Sequence, residues 1–448
     1  MQKMLKDRVS LYVQRGVCLL SVLFFVCLFP GCTRGINWID STAHEVILEK
    51  SLGIAYGEPQ QLIKTADGGY AFVGTFGGAA FLVKTDAKGE VQWQREFTSP
   101  TPPRQHHSAN AVLQTKDGGF LIAGSTDSDS TTGVQMGETP NPTSPRRGQA
   151  ALVVKYDTNG QFVWKKTFIG TPNTYFNRVF YRGVVAQDGY ILIGQTNLTL
   201  FDQPTPSGRG GSIPLWVVKL NDAGEVMWER VFGNEVFAVV GSGTEVYGKP
   251  VVDSQGNLLI AIATREQLNR VADGKLEVFK GGESLVEYAV VLKLDKDGHE
   301  LKRVQLAAAR TLAFTPIPQG YVLVGSGAQF HSKGKTWMVK LNDDLTIASK
   351  TIWETTQFGA RCMVPLGSDD GLLIGGSHKA DEKSGRPPQA ATGYVTKEGQ
   401  FQEEMMSNSY HVRAVDVVPG SQDGEFVFLV DSGTGTQPGA ALVKVKRW

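Results

Sequence analysis

One pattern recurs seven times along this chain: a glycine-rich turn, a short apolar run closing on glycine, and a second apolar run that usually closes on lysine. Its clearest copy is Asp67-Gly68-Gly69 leading into Tyr70-Ala71-Phe72-Val73-Gly74, then Phe81-Leu82-Val83-Lys84, then Gly89 and Trp93. The second copy has Asp117-Gly118-Gly119, Gly124, Lys155, Gly160 and Trp164, and the third has Asp188-Gly189, Gly194, Lys219, Gly224 and Trp228. Four weaker copies lie around residues 258–298, 320–340, 370–395 and 423–444. The runs are too short for helices and rich in Val, Ile, Phe and Tyr, so each unit reads as a four-stranded antiparallel meander. Lysine and glycine stand five apart in four units, at Lys84 and Gly89, Lys155 and Gly160, Lys219 and Gly224, and Lys293 and Gly298. That constancy implies one fixed turn with glycine at positive φ.

Uninterrupted apolar runs such as Ala151-Leu152-Val153-Val154 mark strands covered on both faces, which sheets stacked about an axis provide. The expected fold is all-β: a seven-bladed β-propeller of four-stranded antiparallel blades. The last unit reaches Trp448 without a fourth strand. Residues 45–52 match residues 161–168, with Leu48 and Leu52 in place of Trp164 and Phe168. The N-terminal strand is therefore expected to close the last blade and join the ends of the ring.

Residues 1–31 read as an export signal, with Lys3, Lys6, Arg8 and Arg15 ahead of an apolar run at 17–29. Such a run falls short of the ~20 residues that span a bilayer. It closes on Phe29-Pro30-Gly31-Cys32, which resembles the bacterial lipobox. The resemblance implies that Cys32 is lipidated and becomes the new N-terminus; the alternative is an ordinary signal cut elsewhere, or an N-terminal anchor. The organisation expected is a signal at 1–31, a tether at 32–44 and a propeller at 45–448, anchored in the bacterial cell envelope, with the outer membrane as the expected site. Cys18 and Cys27 would leave with the signal, so Cys362 stands alone in the mature domain and no disulfide or multi-cysteine zinc site is expected. Cys362, within an apolar stretch, reads as a buried inert thiol. The whole chain carries a formal +1; the signal holds +3 of that, leaving about −2, so nucleic-acid binding has no electrostatic footprint.

The Asp-Gly-Gly-aromatic turns and the Leu-Val-Lys-x-Asp-x-x-Gly-x-x-x-Trp segment at residues 82–93 resemble those of the β-propeller repeat proteins of bacterial envelopes, many of them lipoproteins. The resemblance covers roughly residues 45–448 and implies fold and compartment more than chemistry, since most members have no assigned activity. The Asp-x-x-Gly-x-x-x-Trp part is also similar to the tryptophan-docking repeat of quinoprotein dehydrogenases, in which Trp packs between blades. Those enzymes hold a quinone with calcium ligands, many beside a vicinal disulfide. With one mature cysteine and no ligand cluster, no quinone or other cofactor is expected here.

The short turns define a plain face of the disc, whereas the long insertions at 126–148, 197–213, 264–287 and 378–391 crowd the opposite rim. Arg178, Arg310, Arg361 and Arg413 each precede the glycine that opens a second strand by about ten residues, which places them at or near the start of innermost strands on that rim. Converging guanidinium groups favour a carboxylate, sulfate or phosphate; the competing reading is salt bridges between blades. His106 and His107 fall on the same rim, and without an assignable third ligand no metal site is expected. No Ser/His/Asp order, nucleotide loop or His-Glu-x-x-His motif is present. The paired acids Asp343-Asp344, Asp369-Asp370 and Glu403-Glu404 read as turn or strand-end residues. The function expected is a monomeric, lipid-anchored binding or scaffold module for an envelope protein or an acidic glycan; the alternative is a glycan-active hydrolase or lyase at the axial channel mouth.

Overall fold

The computed structural model describes residues 44–52, 57–98, 106–127, 149–169, 178–196, 215–232, 248–266, 269–272, 275–278, 286–308, 311–326, 336–353, 358–367, 371–378, 388–405, 413–431 and 439–447. All regular elements among them are strands. The chain divides after Thr42, and the propeller is the unit that begins at Ala43. The first strand, β1 (His44–Ser51), does not join the sheet that follows it. Blade 1 comprises β2 (Glu58–Lys64), β3 (Tyr70–Phe76), β4 (Ala79–Thr85) and β5 (Val91–Phe97), paired in that order. Blade 2 is β6 (His107–Gln114), β7 (Phe120–Asp127), β8 (Gln149–Tyr156) and β9 (Phe162–Phe168). Blade 3 is β10 (Arg178–Ala186), β11 (Gly189–Thr196), β12 (Leu215–Leu220) and β13 (Val226–Phe232).

Blade 4 departs from the pattern. Its first strand, β14 (Val251–Val252), is two residues long, and β15 (Leu258–Glu266) pairs onward with β18 (Val286–Leu294) and β19 (Glu300–Ala308). Between β15 and β18, a separate ribbon of β16 (Asn269–Ala272) and β17 (Lys275–Val278) lies within the long insertion at 264–287. Blade 5 is β20 (Thr311–Ile317), β21 (Gly320–Ser326), β22 (Thr336–Leu341) and β23 (Ile347–Trp353). Blade 6 is β24 (Phe358–Pro365), β25 (Leu372–His378), β26 (Gln389–Val395) and β27 (Phe401–Met405). Blade 7 is β28 (Arg413–Pro419), β29 (Glu425–Asp431) and β30 (Ala440–Arg447), completed by β1.

First strands of successive blades touch around the whole circle, β2 with β6, β6 with β10, β10 with β14, β20 with β24, β24 with β28 and β28 with β2; blades 4 and 5 meet through β15 and β20. These strands are therefore innermost, and the chain is a seven-bladed β-propeller. Closure is as the repeat required: β1 pairs antiparallel with β30, from His44 opposite Arg447 to Ser51 opposite Ala441. Leu52 and Leu62 join Val418, Leu429 and Leu442 in one apolar cluster across the blade 7–blade 1 seam.

Two repeated devices explain the conserved spacing within the chain. On the plain face, the lysine that ends the third strand is almost wholly buried and pairs with the acid of the first turn: Lys84 with Asp67 at 2.7 Å, Lys155 with Asp117 at 2.6 Å, Lys219 with Asp188 at 2.7 Å, Lys293 with Asp253 at 2.9 Å and Lys444 with Glu425 at 3.2 Å. Each pair lets a charged stem cross the sheet without leaving its ammonium unpaired. At the seams, the tryptophan of one blade lies on the turn glycine of the next. A Cβ on Gly160 would meet Trp93 at 2.9 Å, and one on Gly224 would meet Trp164 at 2.7 Å. At the closing seam Leu48 takes the tryptophan's place, 3.8 Å from a Cβ built on Gly89. Blade 4 presents Lys302 instead of tryptophan, and there the turn residue of blade 5 is Leu345, buried at φ +63°. The missing indole leaves room that a leucine side chain fills.

Candidate functional site

The innermost strands are not regular. In β2, β6, β10, β24 and β28 the register slips by one residue, at Gln60, Asn110, Tyr181, Arg361 and Val415. A bulge bends a strand and re-aims its side chains. It also frees backbone amides, and here the preceding blade supplies the acceptors. The amide two beyond the bulge in blade 1, Leu62 N, donates to Asp416 Oδ2 of blade 7 at 3.0 Å, and its counterpart Val112 N donates to Gln61 Oε1 of blade 1 at 3.1 Å. Asn110 Nδ2 continues the chain by donating to Phe180 O of blade 3 at 2.8 Å. Buried polar side chains thus stitch the axial wall from blade 7 to blade 3.

Lys249, two residues ahead of β14 in blade 4, reaches Asp416 Oδ1 of blade 7 at 2.9 Å. Those blades are not neighbours in the ring, so the bridge crosses the axial region. Asp416 is buried and also accepts from Val417 N at 2.8 Å. Sequence reasoning missed both members: they lie far apart in the chain, and only closure of the ring brings them together.

The structure places the predicted arginines at different depths. Arg178 and Arg413 are the first residues of β10 and β28, opposite Thr196 and Asp431, the last residues of their second strands. Both therefore stand at the long-loop rim. Arg178 lies over the Trp216 ring at 4.8 Å and 3.8 Å from Glu229; burial lowers its pKa, against the pull of Glu229. Arg413 Nε donates to Asp431 Oδ2 at 2.9 Å. Arg361 is instead the bulge residue of β24, three residues into the strand and beside Cys362. The shared register expected from the spacing does not hold for it, because β24 and β25 are joined through residues 366–371 whereas β10 and β11 are joined through two residues, so a similar distance from the turn glycine falls deeper in the strand. Arg310 and Cys32 lie outside the described residues.

The two histidines part company. His106 is exposed, its ring against Gly78 and its amide donating to Asp127 Oδ2 at 3.0 Å. His107 is buried with neither ring nitrogen hydrogen-bonded, edge-on to Phe97 at 4.9 Å. Burial pushes its pKa down, with Asp127 opposing and Lys165 and His106 reinforcing. Cys362 is fully enclosed and its thiol pKa is pushed up by burial, next by the Asp416 charge. It is the buried thiol that its setting in the sequence implied. His378 Nδ1 and Glu403 Oε1 meet at 2.6 Å in blade 6, a pair that sequence distance concealed. Among the described residues, no three His, Cys, Asp or Glu side chains are grouped to hold a metal ion.

No protein-family model matches this chain, and no curated protein does. Among solved structures it is similar to the Dos1 propeller at 9% identity over 87% of this chain and 78% of that one, with a TM-score of 0.47. It is also similar to a catalytically inactive virginiamycin B lyase from Staphylococcus aureus, solved with quinupristin, at 10% identity over 90% and 100%, with a TM-score of 0.45. Drosophila Plexin A in complex with Semaphorin 1b gives 7% identity over 90% and 87%, with a TM-score of 0.47. The assignment of this chain to the seven-bladed propellers rests on its strand pairing and ring closure, not on these likenesses.

Proposed function

We propose that this chain is a lipid-anchored binding or scaffold module of the bacterial cell envelope, whose long-loop rim receives an acidic glycan or the acidic surface of an envelope protein. The observation that carries the reading is the common position of Arg178 and Arg413, each opening an innermost strand at the rim and each beside a carboxylate of its own blade. A guanidinium is a planar fork suited to an oxyanion, and one held beside a carboxylate has its orientation set before the ligand arrives. Arg310, at the corresponding sequence position, belongs to the same proposed set, with Arg361 deeper toward the axis. His106 and His107 flank the rim and have no assigned chemistry in this reading. Anchoring follows from Cys32, whose short tether leads into β1 and thus into the closed ring.

Two measurements test the proposal. Cys32→Ser should abolish membrane partitioning in a bacterial host; unchanged partitioning removes the anchor. Binding of polygalacturonate to the soluble propeller should weaken by ~10-fold in an Arg178→Ala/Arg413→Ala variant and fall with added salt. Equal binding by the variant, at unchanged melting temperature, removes the rim.

A further inference from the structure

Blade 5 keeps the repeat lysine and lacks its acid. Lys340 stands opposite Val322 as Lys219 stands opposite Ile191. Its first turn returns from Ile317 to Gly320, as that of blade 3 returns from Ala186 to Gly189. The residue before that glycine is Asp188 in blade 3 and Gln319 in blade 5. In five other blades the lysine is neutralised by an acid of its own first turn. Among the described residues no carboxylate pairs with Lys340, which is half-buried.

The same place is hollow. Between blades 5 and 6 on the plain face lies a cleft of about 160 Å³, lined by Lys340 and Gln319 with Ile317, Pro318, Pro365 and Gly371. Blade 6 brings no second lysine to the seam, because Tyr394 stands at the lysine position, opposite Leu373. A half-buried ammonium beside a neutral amide, in a cleft with apolar walls, favours an anion with a small apolar body.

We propose that this cleft is a binding site for a small carboxylate, which occupies the place of the missing aspartate and pairs with Lys340 while its body packs on Pro318 and Pro365. The Gln319 side-chain amide is a second donor for the same group. The site lies on the face opposite the arginine rim, so it stands or falls independently of the rim.

Calorimetric titration of the soluble propeller with butyrate and with glucuronate tests it, with butyramide and glucose as uncharged controls. Butyrate, glucuronate or both should bind in the ~mM range expected of one ion pair on a small ligand, and neither control should. Butyrate alone binding identifies a free short-chain acid as the ligand class; glucuronate alone identifies a sugar acid. Gln319→Asp restores the acid of the other blades, and it should raise the melting temperature while weakening binding at least ~10-fold. Lys340→Met should also abolish binding. Binding of butyramide equal to that of butyrate, unchanged binding by Gln319→Asp, or no binding of either acid overturns the proposal. If Asp370 of the same chain fills the cleft, only Asp370→Asn will bind added carboxylate, and that outcome overturns it too.

Discussion

Single residues in this propeller are chosen by what their own blade and the neighbouring one leave for them. Lys155 is tolerable inside a sheet because Asp117 meets it at 2.6 Å; the hydrogen bond from Lys155, then that from Thr115, holds the Asp117 carboxyl down at about 2. Leu345 accepts a left-handed backbone because its side chain is buried where no indole arrives, and burial of a leucine, worth about 1.5–3 kcal/mol, offsets strain of about 1–2 kcal/mol. His107 has no such compensation. Its pKa is lowered by burial, so below the ordinary histidine range the unfolded chain binds a proton that the folded chain refuses. Stability present above about pH 6.5 is therefore lost as pH falls toward the depressed value. His107→Phe should flatten that loss. Denaturant melts of the two proteins from pH 7 to pH 5 measure it, and parallel curves would count against the assignment.

At the scale of elements, the seams are set by the tryptophan of one blade and the turn glycine of the next. Gly224 has φ +83°, and a Cβ there would sit 2.7 Å from the Trp164 ring, so two independent penalties fall on Gly224→Ala. Trp164→Ala removes only one of them. We expect Trp164→Ala to cost about 2 kcal/mol, less than a fully buried tryptophan because this ring is half-exposed. In that background Gly224→Ala should cost about 1 kcal/mol less than in the parent, the remainder being backbone strain. Additive double-mutant energies would show that the ring and the glycine are not coupled. The bulges are the other element-scale feature. They interrupt the ladder in five innermost strands, and in blades 1 and 2 an amide two residues beyond the bulge is bonded by a side chain of the preceding blade, which makes those inner edges depend on their predecessors.

For the whole molecule, closure is the property on which the rest depends. Blade 7 has only three strands of its own, and β1 covers the outer edge of β30 while Leu48 and Leu52 seal the seam with blade 1. Deleting residues 44–52 should lower stability by several kcal/mol, since it removes a strand's pairing and two apolar side chains worth about 1.5–3 kcal/mol each. A synthetic peptide of that sequence, added in excess, should restore much of the melting temperature by pairing with the exposed edge. Melting unchanged by the deletion would contradict closure as a stabilising device.

The repeat made fold, blade number and closure readable in advance. Turn glycines, buried strands and the seam tryptophans are local requirements that recur with the period, so a single chain displays each of them several times. The lysines were visible as a pattern without their reason, because their acids lie on a different turn of the same blade. Depth within a strand was not readable: the length of the first turn varies from blade to blade, so counting back from its glycine does not fix a position in the strand, which is why Arg361 left the register of Arg178 and Arg413. The Lys249–Asp416 bridge and the His378–Glu403 pair required tertiary structure outright, since contacts between residues 167 and 25 positions apart follow from how blades and strands face one another, and no periodic signal encodes them. The cleft beside Lys340 belongs to both: the sequence shows Gln319 where blade 3 has Asp188, and only the packing of blades 5 and 6 forms the cleft.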